Sequence, residues 1–359
     1  MKSSIKLLLI IFFWLIVHFS YGQEKSINSF KLSGEVHFTK GSQKALLQNF
    51  KNQIKKNGKT NLVLEMGFAN SFLYTKYLID GNELPLKRIY GYYAFEGFRS
   101  FIKELKVLYD SLPENEKFVI IGVDYEIRYP FIHVISDIFK TIEIIPNELD
   151  EITQKFIDAD RVFGSPNTKP PLSEYNYYNE MYENFTKYET LYKENLSEND
   201  FNLLRLLSLK TIRNKSVTNR NNDQEWVANF DEIIEYYNIR DFSNFYGQVG
   251  ARHLSNTPFT KMIESRSKKY QFDEYLYYNG KRIYNKGDQK NINYGVIQFC
   301  SWEFKFRPMI TRKNQLKFIK NEYFSKFESI TKYNEILNIN DQTVIINSQA
   351  ESYYPLQIN

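Results

Sequence analysis

Short apolar runs alternate along this chain with longer stretches in which apolar residues recur every three or four positions. The first run reads Phe-Lys-Leu-Ser-Gly-Glu-Val-His over residues 30–37. The second reads Asn-Leu-Val-Leu-Glu-Met-Gly over 61–67, and both reach a carboxylate as they end. Between them Leu46, Leu47, Phe50 and Ile54 form one stripe at helical spacing, with lysines opposite and Gly58 as a stop. The pattern predicts strand, helix, strand, and so a right-handed β–α–β opening.

After Gly67 the spacing of Phe68, Phe72 and Leu73 predicts a helix ending near Asp80-Gly81, and Phe98, Ile102 and Leu105 mark another from about Tyr93 to Leu112. Residues 117–122, Lys-Phe-Val-Ile-Ile-Gly, form a continuous apolar run of the kind a strand buried on both faces shows. It leads into Asp124 and Glu126, a third acidic ending. Residues 146–199 break the pattern with Gly164-Ser165-Pro166 and Pro170-Pro171, and are expected to be a largely helical insertion suited to a lid. Leu203, Leu204, Leu206 and Leu207 predict a buried helix, and Trp226, Phe230, Ile233, Ile234 and Tyr237 an amphipathic one. Residues 242–250 read as a strand running into a glycine turn before Arg252 and His253. Residues 294–299 predict a late strand that 303–310 would pair with, and one more apolar run covers 343–346. The expected class is α/β, with a mainly parallel central sheet flanked by helices and a helical insertion.

The first 22 residues change the picture of where the protein works. Lys2 and Lys6 precede an apolar run from Leu7 to Val17, and Ser20 and Gly22 stand where a signal peptidase needs small residues. The run is short for a span of about 20 residues. A cleaved signal peptide and an exported protein, periplasmic or secreted, are expected, with residues 23–359 as a single domain and no membrane anchor after cleavage. The formal charge of +5 would fall to +3 with the two lysines gone, too little to imply a nucleic-acid partner. The lone cysteine, Cys300, excludes an internal disulfide framework and is expected in the core.

Three strands that end in carboxylates place those groups at the edge where open α/β sheets bind ligands. Glu35 and His37 are two apart, so a strand turns them to one face. A carboxylate there orients an imidazole and keeps it basic, as activation of water requires. Glu65, Asp124 and His253 are expected at the same edge, with Arg252 and Glu126 available to a substrate, Arg252 also to a developing oxyanion. His37, Glu65 and His253 also have the composition of a two-histidine, one-carboxylate metal site, which stays open as an alternative. His133, in an apparent amphipathic helix, is read as a packed or surface residue. Gly-x-Ser-x-Gly, P-loop and Gly-x-Gly-x-x-Gly signatures are absent, which argues against a serine nucleophile or a nucleotide cofactor.

These segments resemble a known grouping. Gly34-Glu35-Val36-His37, a helix and Leu62-Val63-Leu64-Glu65 are similar to the opening of the erythromycin esterase superfamily, usually taken to include ChaN-like haem-uptake proteins and TraB/TIKI-type metalloproteases. The similarity continues at 98–108, at Val119–Asp124, at Trp226–Asn229 and at Gly247–His253, most of the chain from about residue 30 to 260. It implies ester hydrolysis by activated water, with His37 as general base, Glu35 and Glu65 orienting it or the water, and His253 assisting at the oxyanion or leaving group. The esterases usually carry an arginine just before the helix containing Trp226. Asn222 stands in that place here, with Arg220 two residues upstream as the available substrate contact. Gly-Glu-x-His is closer to the ChaN-like form, and Val249–Leu254 to the TraB form. The resemblance therefore implies a hydrolase of a small molecule needing no cofactor, with haem binding or divalent-metal peptidase chemistry as alternatives.

Overall fold

The computed structural model describes residues 25–35, 42–84, 96–163, 176–215, 224–254, 257–273, 298–301, 335–339 and 342–349. The expected signal peptide, His37, Arg220 and the 303–310 strand lie outside them. Side chains are not described at Glu35, Arg252 and Cys300.

The chain opens with β1 (Ile27–Glu35), α1 (Ser42–Asn57), β2 (Thr60–Leu64), α2 (Phe68–Asp80), α3 (Glu96–Ser111) and β3 (Ile120–Gly122). It continues through α4 (Arg128–Phe139), α5 (Asn147–Phe163), α6 (Tyr177–Asn195), α7 (Glu198–Lys215) and α8 (Gln224–Tyr236). Then come β4 (Ser243–Gly250), a 3-10 turn at Ala251–Leu254, α9 (Pro258–Arg266) and β5 (Ser267–Asp273). Strands β1 to β5 form one parallel sheet in the order β3-β2-β4-β1-β5. The fold is α/β, as the alternating pattern predicts.

One detail differs from the expected opening. β1 and β2 are parallel members of one sheet but not neighbours, because β4 lies between them and pairs with both. Residues 244–250 are all buried, and their side chains alternate between two covered faces. Tyr246 faces α1, with its ring 6.2 Å from that of Phe50. Phe245 faces the other layer, 5.1 Å from Phe230 of α8 and 5.5 Å from Phe30 of β1. A parallel sheet covered on both faces suits the continuous apolar runs of the sequence. β5, which the apolar pattern does not predict, is an edge strand with lysines at 268 and 269; it follows α9 without a turn. A separate three-stranded sheet has the order β6-β8-β7, from Gln298–Ser301, Glu335–Ile339 and Gln342–Gln349. The 343–346 apolar run falls in β8.

In its described residues the expected insertion is helical and packed against α4. Phe156 of α5 lies edge-on to Phe131 and Phe139 of α4, and Tyr192 of α6 stacks on Phe139 at 6.0 Å. All four rings are buried. α4 and α5 are also joined by a polar clamp around Asp160. Its carboxylate takes His133 Nδ1 at 2.8 Å, Ser136 Oγ at 3.2 Å and Lys140 Nζ at 3.0 Å. His133, Asp137 and Asp160 lie close enough to surround a cation, but Lys140 already bridges the two aspartates. His133 is the packed histidine that the sequence suggests.

The two strand-exit loops pack backbone against backbone. A Cβ on Gly122 would lie 2.5 Å from the Gly67 carbonyl oxygen and 2.7 Å from that of Met66. A Cβ on Gly67 would lie 2.7 Å from the Tyr125 carbonyl oxygen and 2.9 Å from the Glu126 Cα. Each glycine leaves room for the other loop's backbone, and Asp124 N–H then donates to the Met66 carbonyl at 2.9 Å.

Burial alone would raise the Asp160 carboxyl, but hydrogen bonds and charge from His133 and Lys140 outweigh it and hold it at about 2. A depressed carboxylate stabilises the fold above its ordinary pKa of 3.8, and that stability is lost as pH falls toward 2. Asp160→Asn is expected to lower stability at neutral pH by about 2 kcal/mol and to flatten its pH dependence between those values, read by urea unfolding. Gly122→Ala is expected to cost about 3 kcal/mol, because only backbone can yield to the added methyl; thermal unfolding checks it.

Candidate active site

At the C-terminal edge of the sheet, the ends of four strands converge. β2 leads directly to Glu65. One Glu65 oxygen accepts the Gly250 N–H, at the end of β4, at 2.5 Å. The other lies 3.4 Å from His253 Nε2. The two side chains are 15% and 17% exposed, so the pair is sheltered yet reachable from solvent. β1 ends beside it, with Glu35 in register with Gly250.

His253 is carried by the 3-10 turn that joins β4 to α9. The turn is fixed from both sides. Its N-terminal end continues the buried strand, and the His253 carbonyl accepts the Thr257 hydroxyl at 3.2 Å. Thr257 in turn caps α9, exchanging side-chain and backbone hydrogen bonds with Thr260 ahead of Pro258. The imidazole is thus presented from a turn hydrogen-bonded to the cap of α9.

Asp124 comes from the exit of β3. Its Oδ1 accepts the indole N–H of Trp226 at 3.1 Å, and the indole face stacks on His253 with centroids 4.4 Å apart and planes 26° apart. Burial first, and the nearby Glu65 charge second, push the Asp124 carboxyl up to about 7; backbone and Trp226 hydrogen bonds and the His253 charge oppose them. The site therefore holds an imidazole paired to one carboxylate and, across an indole, a second carboxyl able to carry a proton near neutrality. Such separation of two acidic groups suits acid and base roles within one site.

The structure brings together Glu65, Asp124 and His253 of the expected set. Glu126 is elsewhere in function. It is 3% exposed and sits under the N-terminus of α2, accepting the Phe68 and Ala69 amides at 2.8 and 3.0 Å. Two backbone donors at a helix N-terminus satisfy a buried carboxylate, so Glu126 anchors α2 and is not open to substrate. The Tyr178 hydroxyl of α6 donates to the Glu126 carbonyl at 2.9 Å, which ties the insertion to the same loop. Trp226 is the site residue that the apolar pattern concealed, since it falls on the core stripe of α8. The available signal was its N–H, because a buried tryptophan usually needs an acceptor. The backbone of Arg252 lies in the 3-10 turn beside His253. For the alternative metal set, Glu65 and His253 stand side by side; His37, the third donor, is outside the described residues.

Asp124 also bears on stability. A carboxyl with a raised pKa costs the fold nothing below its ordinary range and progressively more as pH rises through about 7. Asp124→Asn keeps an acceptor for Trp226 and never ionises. It is expected to be more stable than the wild type by about 1–3 kcal/mol at pH 8 and equal to it near pH 4, measured by chemical unfolding.

No family model and no curated protein sequence matches the chain. Solved structures do resemble it at low identity. A Bacillus cereus protein is similar over 71% of this chain and 67% of its own, at 16% identity and a TM-score of 0.45. A succinoglycan biosynthesis protein is similar over 70% and 66%, at 12% identity and 0.47. An erythromycin esterase, a histidine-to-asparagine variant of EreC in its open conformation, is similar over 70% of each chain, at 13% identity and 0.44.

Proposed function

We propose that this protein is an exported hydrolase that cleaves an ester or a related bond of a small molecule with water activated by a histidine–carboxylate site. The observation that carries the reading is the contact of His253 with Glu65 at the sheet edge, with the protonatable Asp124 beside it. An imidazole backed by a carboxylate accepts a proton from water and is stabilised as the imidazolium that results. From the sequence, we assign the attacking water to His37, with Glu35 orienting it. His253 then serves the oxyanion or the leaving group. Hydroxide adds to the acyl carbon, the tetrahedral intermediate expels the alkoxide, and a carboxyl near neutrality such as Asp124 returns a proton to it. Export rests on the pattern of residues 1–22. Among the described residues no helix is long and apolar enough to cross a membrane.

Hydrolysis of p-nitrophenyl acetate by the purified protein tests the reading. Glu65→Gln, His253→Asn and His37→Ala are each expected to lower kcat/KM by about 10²-fold or more, with turnover surviving a chelator. Variants that hydrolyse the ester at the wild-type rate would refute the assignment. Loss with chelator and recovery with a divalent ion would transfer it to metal-dependent chemistry. No turnover together with a specific Soret shift on adding haemin would replace hydrolysis by haem binding.

A further inference from the structure

Trp226 makes two contacts that filling a core does not require. One indole face stacks on His253, and the indole N–H donates to Asp124 Oδ1. Phe259 of α9, itself buried, packs edge-on at 5.7 Å and 80° as a core contact. The residue is 5% exposed. Its neighbours on the same stripe, Phe230, Ile233 and Ile234, are buried and apolar. One turn along α8, Asn229 donates to the Val123 carbonyl at 2.7 Å. α8 therefore grips two consecutive residues at the exit of β3, one by its carbonyl and one by its carboxylate.

We propose that Trp226 is the positioning residue of this site: its stacked indole sets the plane of the His253 ring toward Glu65, and its N–H fixes the Asp124 carboxylate beside them. Trp226 acts through those two groups and does not react itself. The consequence for turnover rests on the hydrolase reading above; the geometry does not. The Trp226 face and the Glu65 carboxylate at 3.4 Å hold the imidazole from two directions, one across the ring plane and one at its edge. A stacked ring pair adds about 0.5–1.5 kcal/mol of orientation-dependent contact. Once the imidazole has taken a proton, the indole face also attracts the cation. Glu65 does the same from the ring edge, so both partners favour the protonated intermediate. The N–H bond to Oδ1 ties the Asp124 carboxyl to the same indole that stacks on the imidazole.

Two variants of the full chain separate the contacts. Trp226→Phe keeps an aromatic face and loses the N–H; Trp226→Leu loses both. The His253 ring proton resonances, assigned by their disappearance in His253→Asn, report the stacking through the ring current whether or not a substrate is known. They are expected to move downfield in Trp226→Leu and to stay close to the wild-type position in Trp226→Phe. With p-nitrophenyl acetate as probe, kcat is expected to fall about 10²-fold in Trp226→Leu with KM little changed. It is expected to fall about tenfold in Trp226→Phe, the worth of one hydrogen bond. Unmoved His253 resonances in a folded Trp226→Leu protein would overturn the proposal. So would equal losses of kcat in both variants with no change in those resonances. Absence of wild-type turnover would count against the hydrolase reading alone, since the resonances still decide whether the indole holds the imidazole.

Discussion

Two strand-exit loops, each with a glycine where the other needs space, hold the site of this protein together. Gly67 and Gly122 let the backbones after β2 and β3 meet at distances no side chain would permit. The hydrogen bonds that follow, Val123 N–H to Leu64 and Asp124 N–H to Met66, carry the sheet's pairing beyond its last regular residues. Glu65 and Asp124 are thereby fixed on adjacent loops, close enough for the charge on one to raise the proton affinity of the other. The same loop sends Glu126 under α2, so the helix that follows β2 is anchored by the residue that follows β3.

The central position of β4 completes the arrangement. By pairing with β1 on one side and β2 on the other, it brings Gly250 alongside Glu35 and within reach of the Glu65 carboxylate. His253 follows three residues later on a turn pinned by the cap of α9. Parallel strands deliver their C-terminal ends to one edge, so residues distant in sequence meet there without any of them being on a long loop. α8 closes the assembly from behind: Trp226 touches the imidazole and one carboxylate, and Asn229 holds the neighbouring backbone.

The polar groups of the molecule fall into two kinds. Asp160 and Glu126 are satisfied to the point of being inert, the first by a histidine, a serine and a lysine, the second by two helix-terminal amides. Their hydrogen bonds outweigh the cost of burial and stabilise the fold. Asp124 is buried with less compensation and next to a like charge, which leaves its proton available near neutrality at a cost in stability. That contrast separates a structural carboxylate from one suited to chemistry better than position along the chain does.

The sequence by itself determined the α/β class, the types of the described elements up to β4 and the edge at which the acidic residues gather, because hydrophobic period and abrupt polar endings are local properties. It also determined that Glu65, Asp124 and His253 are candidates and that His133 is a packed residue. It could not place β4 between β1 and β2, since strand order is chosen by which faces bury best once all helices are present. Nor could it tell Glu126 from Asp124, two residues apart at the same strand end: one turns under a helix N-terminus and the other toward an indole. Trp226 looked like core for the same reason, because its spacing records that it is buried and says nothing of what its N–H meets. Those distinctions belong to tertiary structure, where contacts between distant segments decide which buried polar group is satisfied and which stays reactive.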